Sequence, residues 1–486
     1  MQHKKLLKPT VALFLGVGLI YLAFLKPGIW GFDGNDMLNV AKSLVTEGDF
    51  TVPAGAGIQG RGGEYYSIRY PLLPIIATPF VAVGLFFADL FKLPPHYTSA
   101  VFALLVSLIL TAITTALVML LALRLGSSAK GAYLAAICYA FGTTALVYGR
   151  EFFAEPLLAL ITTASFYFAL GKSTKSQAIA SILAGLAIIA KPAGIVIGPV
   201  LSAYLYLKRY SLKSAIGPIL GSGMGVLLYL GYNFMRFGNI LSSGQNTDRL
   251  QLEGFFARLV GLIISPGAGG GLLWYCPPVI LAFWGLWRLW KIKPLETLAI
   301  LGIFSGYWIL HSFWRFAGWN WGPRFLVPVL PILMASTALL KPKWWKWLIG
   351  LTVVGFLVNA PTLISFYQRY YAEANDGGYL SQALALWGNP ADAPIFNAWG
   401  AAWRQLQDAL ATNVTDVINQ AGAPPEKGTL LSAELLKILA VWWWVLPAAG
   451  IPLWVGILLA VSLVAMGVWI LQQGWQQLKS QKSLFY

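Results

Sequence analysis

Apolar runs of about twenty residues, set off by short polar stretches, recur along the whole chain. That spacing fits transmembrane helices, not the amphipathic helices or alternating strands of a water-soluble domain. The first run lies within residues 1–28 and follows Lys4, Lys5 and Lys8, as the apolar part of a signal peptide would. It is long, however, and no small-residue cleavage site follows, so it reads as a retained first helix with its N-terminus inside. The runs at 71–91 and 97–123 come next. Counting both as spans would put later basic loops on the outer face. Placing 71–91 in the interface, or dipping part way, leaves Arg124 and Lys130 inside. From Gln177 to Leu207 the apolar stretch is too long for one crossing at about 1.5 Å per residue, and it divides into two short helices at Lys191-Pro192. Continued in this way, the pattern predicts an all-α polytopic bundle of about twelve transmembrane helices with both termini inside.

The same threading divides the chain. Residues 1–366 form a transmembrane module with outer loops at 29–70, 149–156 and 235–273. Residues 367–438 form an outer polar segment able to make a small helical cap. Residues 439–486 bring an aromatic stretch at Trp442, Trp443 and Trp444, read as an interfacial belt, then a last helix and an inner tail. The two halves show no inverted repeat, which disfavours transporter folds built that way.

Composition sharpens this picture. Of 486 residues 58% are hydrophobic and 11% charged, which excludes a soluble globular protein. The net charge of +16 would suggest nucleic acid in a soluble chain, but here it reflects Lys and Arg gathered in inner loops, so no nucleic-acid partner is expected. The acids were not used to build the threading, yet nearly all fall outside, with Glu296 the exception. Cys138 and Cys276 lie far apart and offer neither a disulfide framework nor metal-ligand spacing. His3, His96 and His311 are too scattered to suggest a metal triad.

Candidate chemistry lies where charges interrupt the outer ends of apolar runs. Asp33 and Asp36, in FDGNDMLNV, follow the first helix, and a spacing of three puts them on one face if the segment is helical. Glu155, in YGREFFAEPLL, is an acid at a second outer exit. A carboxylate there can take a proton from a hydroxyl that becomes a nucleophile. The bland alternatives are solvated loop acids or helix caps. Arg69, Lys191 and Arg324 are cations at the outer interface, suited to an anionic lipid head group, with snorkelling as the bland alternative. Tyr65 and Tyr66 beside Arg69, and Trp319 and Asn320 beside Arg324, are candidates for loops that meet donor or acceptor. SPGAGGG (265–271) lacks the Lys-Ser/Thr of a P-loop and reads as a turn.

Taken in order, FDGNDMLNVAKSLVTEGDF, GRGGEYYSIRYPLLP, YGREFFAEPLLAL, GLAIIAKPAG, YNFMRFGNILSSG, SPGAGGGLLWYCPP and WNWGPRFLVPVLP resemble a known pattern. The chain is similar to polytopic glycosyltransferases of the GT-C fold, of the glycosyltransferase family 39 type, related to protein O-mannosyltransferases and to the lipid A aminoarabinose transferase. The likeness covers most of the first 340 residues. It implies inverting transfer of a hexosyl or pentosyl group from a polyprenyl-phosphate sugar to a lipid, glycan or protein acceptor. It also implies an integral protein of a bacterial inner membrane, with its site facing the periplasm or exterior. The family's first-loop acid falls on Asp33, with Asp36 the other candidate, because Gly34 stands where many relatives carry Glu after Asp. The second-loop acid falls on Glu155, and the phosphate-binding cations on Arg69, Lys191 and Arg324. No nucleotide is needed, and whether a divalent metal assists through Asp36 and Glu155 is left open. The rival readings are a secondary transporter, a lipid flippase or a non-catalytic assembly factor with the same fold.

Overall fold

Helices account for nearly all regular structure in the chain, here a computed structural model that describes residues 2–209, 211–245, 250–267, 269–315, 319–374, 392–420 and 436–480. The first helix, α1 (Gln2–Ala23), leads into the short α2 (Phe32–Thr46), then α3 (Leu72–Phe91) and α4 (Pro95–Leu125). There follow α5 (Ala129–Gly142), α6 (Ala145–Tyr148), α7 (Ala154–Ala169), α8 (Thr174–Ala190), α9 (Ile197–Arg209) and α10 (Leu212–Phe237). The next group is α11 (Phe255–Ile264), α12 (Leu272–Tyr275), α13 (Val279–Trp290), α14 (Pro294–Ser312), α15 (Leu330–Thr337), α16 (Trp345–Asn359) and α17 (Pro361–Ile364). After these come α18 (Gln368–Ala374), α19 (Pro394–Ala411), α20 (Val414–Gln420) and α21 (Leu453–Ser480). Among the described residues the only sheet is a two-residue pairing in the loop after α2, with β1 (Ile58–Gln59) antiparallel to β2 (Tyr65–Tyr66).

Local chemistry sets the helix ends. Pro95 opens α4 at its first position, where a missing N–H costs nothing. Gly126, at φ 101°, closes the same helix in the left-handed conformation that glycine tolerates. The Ser128 hydroxyl then caps α5 by accepting from Gly131 N–H. Among the described residues, five helical segments are long and apolar enough to cross a membrane: Leu6–Ala23, Leu72–Phe91, Pro95–Leu125, Leu212–Phe237 and Leu453–Lys479. Five shorter apolar helices of 10–17 residues accompany them. The split expected at Lys191-Pro192 is present, since α8 stops at Ala190 and a 3-10 turn (Pro192–Val196) leads to α9. The segment expected to lie in the interface or dip part way, 71–91, forms a continuous helix of 20 residues. Its length and composition suffice for a full crossing.

In lipid, helices gain little from the hydrophobic effect and associate through close backbone approach at small residues. The chain does this repeatedly. A Cβ on Gly221 of α10 would fall 1.9 Å from the Ser181 carbonyl oxygen of α8, and one on Gly225 would fall 2.3 Å from that of Gly185. Gly16 of α1 and Gly467 of α21 face each other in the same way, as do Gly142 of α5 and Gly355 of α16. The first and last described helices are thus neighbours.

A second device ties the ends together. Trp442 and Trp443, expected to form a belt, donate their indole N–H groups to the Leu22 and Ala23 carbonyls at the end of α1. Of the expected cap, α18, α19 and α20 are helical, while 375–391 and 421–435 lie outside the described residues. So do 246–249 of the third outer loop and Ala268 of SPGAGGG.

Candidate active site

Each of the six charged residues singled out above owes its position to a break in regular helix. Gly31 precedes α2 in extended conformation, so Asp33 and Asp36 sit inside the first turns of the helix and are not its cap. Gly34, between them, permits a tight approach. A Cβ there would lie 2.6 Å from an Ile29 methyl and 3.0 Å from the Phe152 carbonyl oxygen, so a larger residue at this position does not fit. Arg69 lies in the loop just before Pro71, its N–H bonded to the Ser67 hydroxyl. Glu155 stands in the first turn of α7 after the extended Phe153. Lys191 is released from α8 because Pro192 cannot continue the helix. Gly322 at φ 59° and then Pro323 turn the chain into a 3-10 segment (Arg324–Val329) that presents Arg324.

These five segments bring the six side chains together. Asp33 is gripped from both sides, with Oδ1 2.6 Å from Arg69 Nη2 and Oδ2 2.8 Å from Arg324 Nη2. Asp36 Oδ2 lies 3.5 Å from Arg69 Nε. Glu155, only 2% exposed at its side chain, accepts from Lys191 Nζ at 2.7 Å and meets Arg324 Nε at 3.2 Å. Arg324 therefore joins the two acids that come from separate exits. Burial pushes the Asp33 carboxyl upward, but Arg69 and Arg324 outweigh it and hold the group well below the usual carboxylate range. Burial likewise lowers the Lys191 ammonium, and Glu155 opposes that change.

Aromatic rings floor the cluster. Lys191 Nζ is 4.3 Å from the Phe325 ring centre, and the Arg324 guanidinium lies 4.6 Å from Phe153 and 5.1 Å from Phe325. His311, set aside in the sequence, stacks on Phe325, the rings 4.7 Å apart at an interplanar angle of 9°. Tyr70, next to Arg69, receives a hydrogen bond from Gln245 at 3.1 Å. Burial pushes its hydroxyl up to about 12, so it remains protonated and able to donate.

A second charged group, absent from the sequence-based candidates, lies behind the loop that carries Glu155. Lys26 pairs with Glu151, both almost wholly buried. Arg150, also buried, donates to the carbonyls of Leu146, Phe24 and Thr362. These contacts pin the end of α1, the turn before α7 and the start of α17 to one another. The signal for them was present in LKPG and YGRE, but charges at such exits look like ordinary loop residues until their partners are known.

The four loop candidates have structural partners. The Tyr65 carbonyl accepts from Val52 N–H, and the Tyr66 ring packs edge-on against Phe237. Trp319 is stacked between Trp30 at 5.5 Å and Tyr371 at 5.6 Å. The Asn320 carbonyl accepts from the Tyr371 hydroxyl. All four brace the loops that surround the charged cluster.

A divalent ion does not fit the acids as they stand. Asp36 faces Arg69, Glu155 faces Lys191 and Arg324, and among the described residues no three His, Cys, Asp or Glu side chains converge.

No family model matches the chain, and no curated protein matches it in sequence. Solved structures do. ArnT from Cupriavidus metallidurans in the apo state superposes with a TM-score of 0.51 at 18% identity, over 96% of this chain and 76% of that one. The same protein bound to undecaprenyl phosphate gives 0.49 at 18% identity, over 94% and 77%. The Archaeoglobus fulgidus oligosaccharyltransferase in its apo form gives 0.48 at 13% identity, over 84% and 58%. The apo ArnT match covers nearly the whole of this chain, and on that likeness the chain has the GT-C type membrane fold.

Proposed function

We propose that the protein transfers a sugar from a polyprenyl-phosphate-linked donor to a hydroxyl acceptor at the extracytoplasmic face of the membrane, inverting the anomeric centre. The observation that carries this reading is the shared Asp33 carboxylate, held between Arg69 and Arg324, with Glu155 and Lys191 completing the network. ArnT, whose fold the chain shares, has been solved with undecaprenyl phosphate, and a phosphate on a prenyl tail is the kind of anion such cations would meet at a membrane rim.

Charge balance gives the mechanism. Three carboxylates (Asp33, Asp36 and Glu155) stand against three cations (Arg69, Lys191 and Arg324), so the cluster by itself is formally neutral. An arriving phosphodiester adds negative charge and competes with the carboxylates for the arginines, which bind phosphate with two parallel hydrogen bonds. As Arg69 and Arg324 turn to the phosphate, Asp33 loses the partners that suppress its basicity. It then takes the proton from the acceptor hydroxyl while that oxygen attacks the anomeric carbon. The bond from that carbon to the phosphate oxygen breaks, and its electron pair leaves with the lipid phosphate. The cations stabilise the growing charge. Glu155 holds Lys191 and Arg324 in position for this exchange, and Asp36 orients Arg69. The sugar, hexosyl or pentosyl, and the acceptor, whether lipid, glycan or protein, are set by surfaces outside this charged core.

The test uses purified Asp33→Asn and Glu155→Gln with a polyprenyl-phosphate sugar donor. Transfer should fall by roughly 10²–10⁴ for Asp33→Asn, the range for loss of a general base. Both variants should remain folded, with a Tm below the parent's because each removes a carboxylate from a buried ion pair. Undiminished turnover in both variants would overturn the reading.

A further inference from the structure

The outer polar segment contains one helix whose surface is divided in an unusual way. Along α19 the exposed large residues are Phe396, Trp399, Trp403 and Leu410, with the first three 54%, 53% and 61% exposed. At about 100° per residue these four fall within roughly 60° of the helix circumference. The adjoining exposed flank is polar or small, with Gly400, Arg404 and Gln407. The opposite face is buried through Ala398, Ala401, Ala402, Gln405 and Ala409. Three sectors thus share one helix: a buried small-residue face, a polar flank and an aromatic flank.

The aromatic flank continues exposed apolar surface of the bundle. Trp399 donates its indole N–H to the Leu357 carbonyl at the last turn of α16. That helix exposes Ile349, Val353, Val354 and Leu357. Phe396 packs edge-on against Trp274 at 6.2 Å, and Trp274 in turn donates to the Ile264 carbonyl at the end of α11. The polar flank turns the other way, where Arg404 pairs with Glu373 of α18 at 2.6 Å. The buried face is fixed rigidly, since Gln405 accepts from Phe366 N–H and donates to the Ile438 carbonyl.

We infer that α19 lies in the plane of the membrane surface, with Phe396, Trp399 and Trp403 inserted at the boundary between head groups and acyl chains of the outer leaflet. Indole and phenyl rings favour that boundary because one end of the environment is wet and the other apolar. An amphipathic helix lying in plane presents this division of faces to a bilayer. The segment is therefore a membrane-seated collar and not a free soluble cap. Its Trp399 contact fixes its height against α16.

Site-directed spin labelling tests the placement in full-length protein reconstituted in phospholipid nanodiscs. Labels are attached at Trp403→Cys and Gln407→Cys, both at exposed positions, while Cys138 and Cys276 are buried and stay unlabelled. Collision rates with oxygen, which partitions into lipid, are compared with those for a water-soluble nickel chelate. Oxygen should dominate several-fold at 403 and the nickel chelate at 407. A nickel-dominated result at both positions would overturn the inference. So would dipolar broadening at 403, which would show a second copy of the chain covering the stripe.

Discussion

Two arginines divide the Asp33 carboxylate between them, so the residue proposed to act as the base is silenced by the same groups proposed to hold the leaving phosphate. The sign of the effect is testable. Pairing lowers the folded-state value of this carboxyl, so its stabilising contribution is complete above the ordinary carboxylate range and fades as pH falls toward the lowered value. Removing one partner raises the value. In Arg69→Met the acid limb of kcat/KM against pH should therefore move to higher pH, and an unmoved limb would assign that limb to another group. At Lys26 the expectation concerns stability. Lys26→Met strands the buried Glu151 carboxylate, and breaking such a pair costs about 3–5 kcal/mol. The double variant Lys26→Met/Glu151→Leu should recover most of that loss in thermal unfolding. The contrast between these residues shows what was legible. Asp33, Glu155 and Arg324 stood out as charges interrupting apolar runs in a recognisable series. Lys26 and Glu151 interrupt them equally, but they are 125 positions apart, and nothing local in the sequence links them. His311 was unreadable for the same reason, because its place beside Phe325 depends on how α14 packs.

Proline and glycine set most element boundaries that matter, and those were readable. Pro192 frees Lys191 from α8, and Gly322-Pro323 frees Arg324 from the helix that follows. Helix contacts are a different matter. The glycines of α10 give a spacing of four, but their partner helix cannot be inferred from it. With α8 against them, Gly221→Val should force the two backbones apart. Because α8 leads directly into Lys191, the variant should lower both the Tm and the rate of transfer, whereas valine at Gly223, which has open space, should leave both near the parent values. The α3 segment marks the limit of pattern reading. A 20-residue apolar helix has the length to cross, and only the charge argument placed it in the interface.

Sidedness belongs to the whole molecule, because it depends on the sum of charges across many loops. The proposed orientation places the exposed Glu64 outside and the exposed Lys291 inside. In intact cells an impermeant maleimide should label Glu64→Cys, and Lys291→Cys should react only after permeabilisation. The opposite pattern would put the cluster on the wrong face for a lipid-borne donor flipped outward. The way α1 is finished has a further consequence for how the molecule comes into being. The Ala23 carbonyl accepts from the Trp443 indole, and the Leu22 carbonyl, already bonded to Leu25 N–H, accepts a second bond from the Trp442 indole, both donors 420 positions later; an unmet helix-end carbonyl in a membrane setting is costly. Synthesis must therefore reach Trp443 before both of these indole contacts can form. A nascent chain that already carries all six charged residues would still lack this support beneath Asp33.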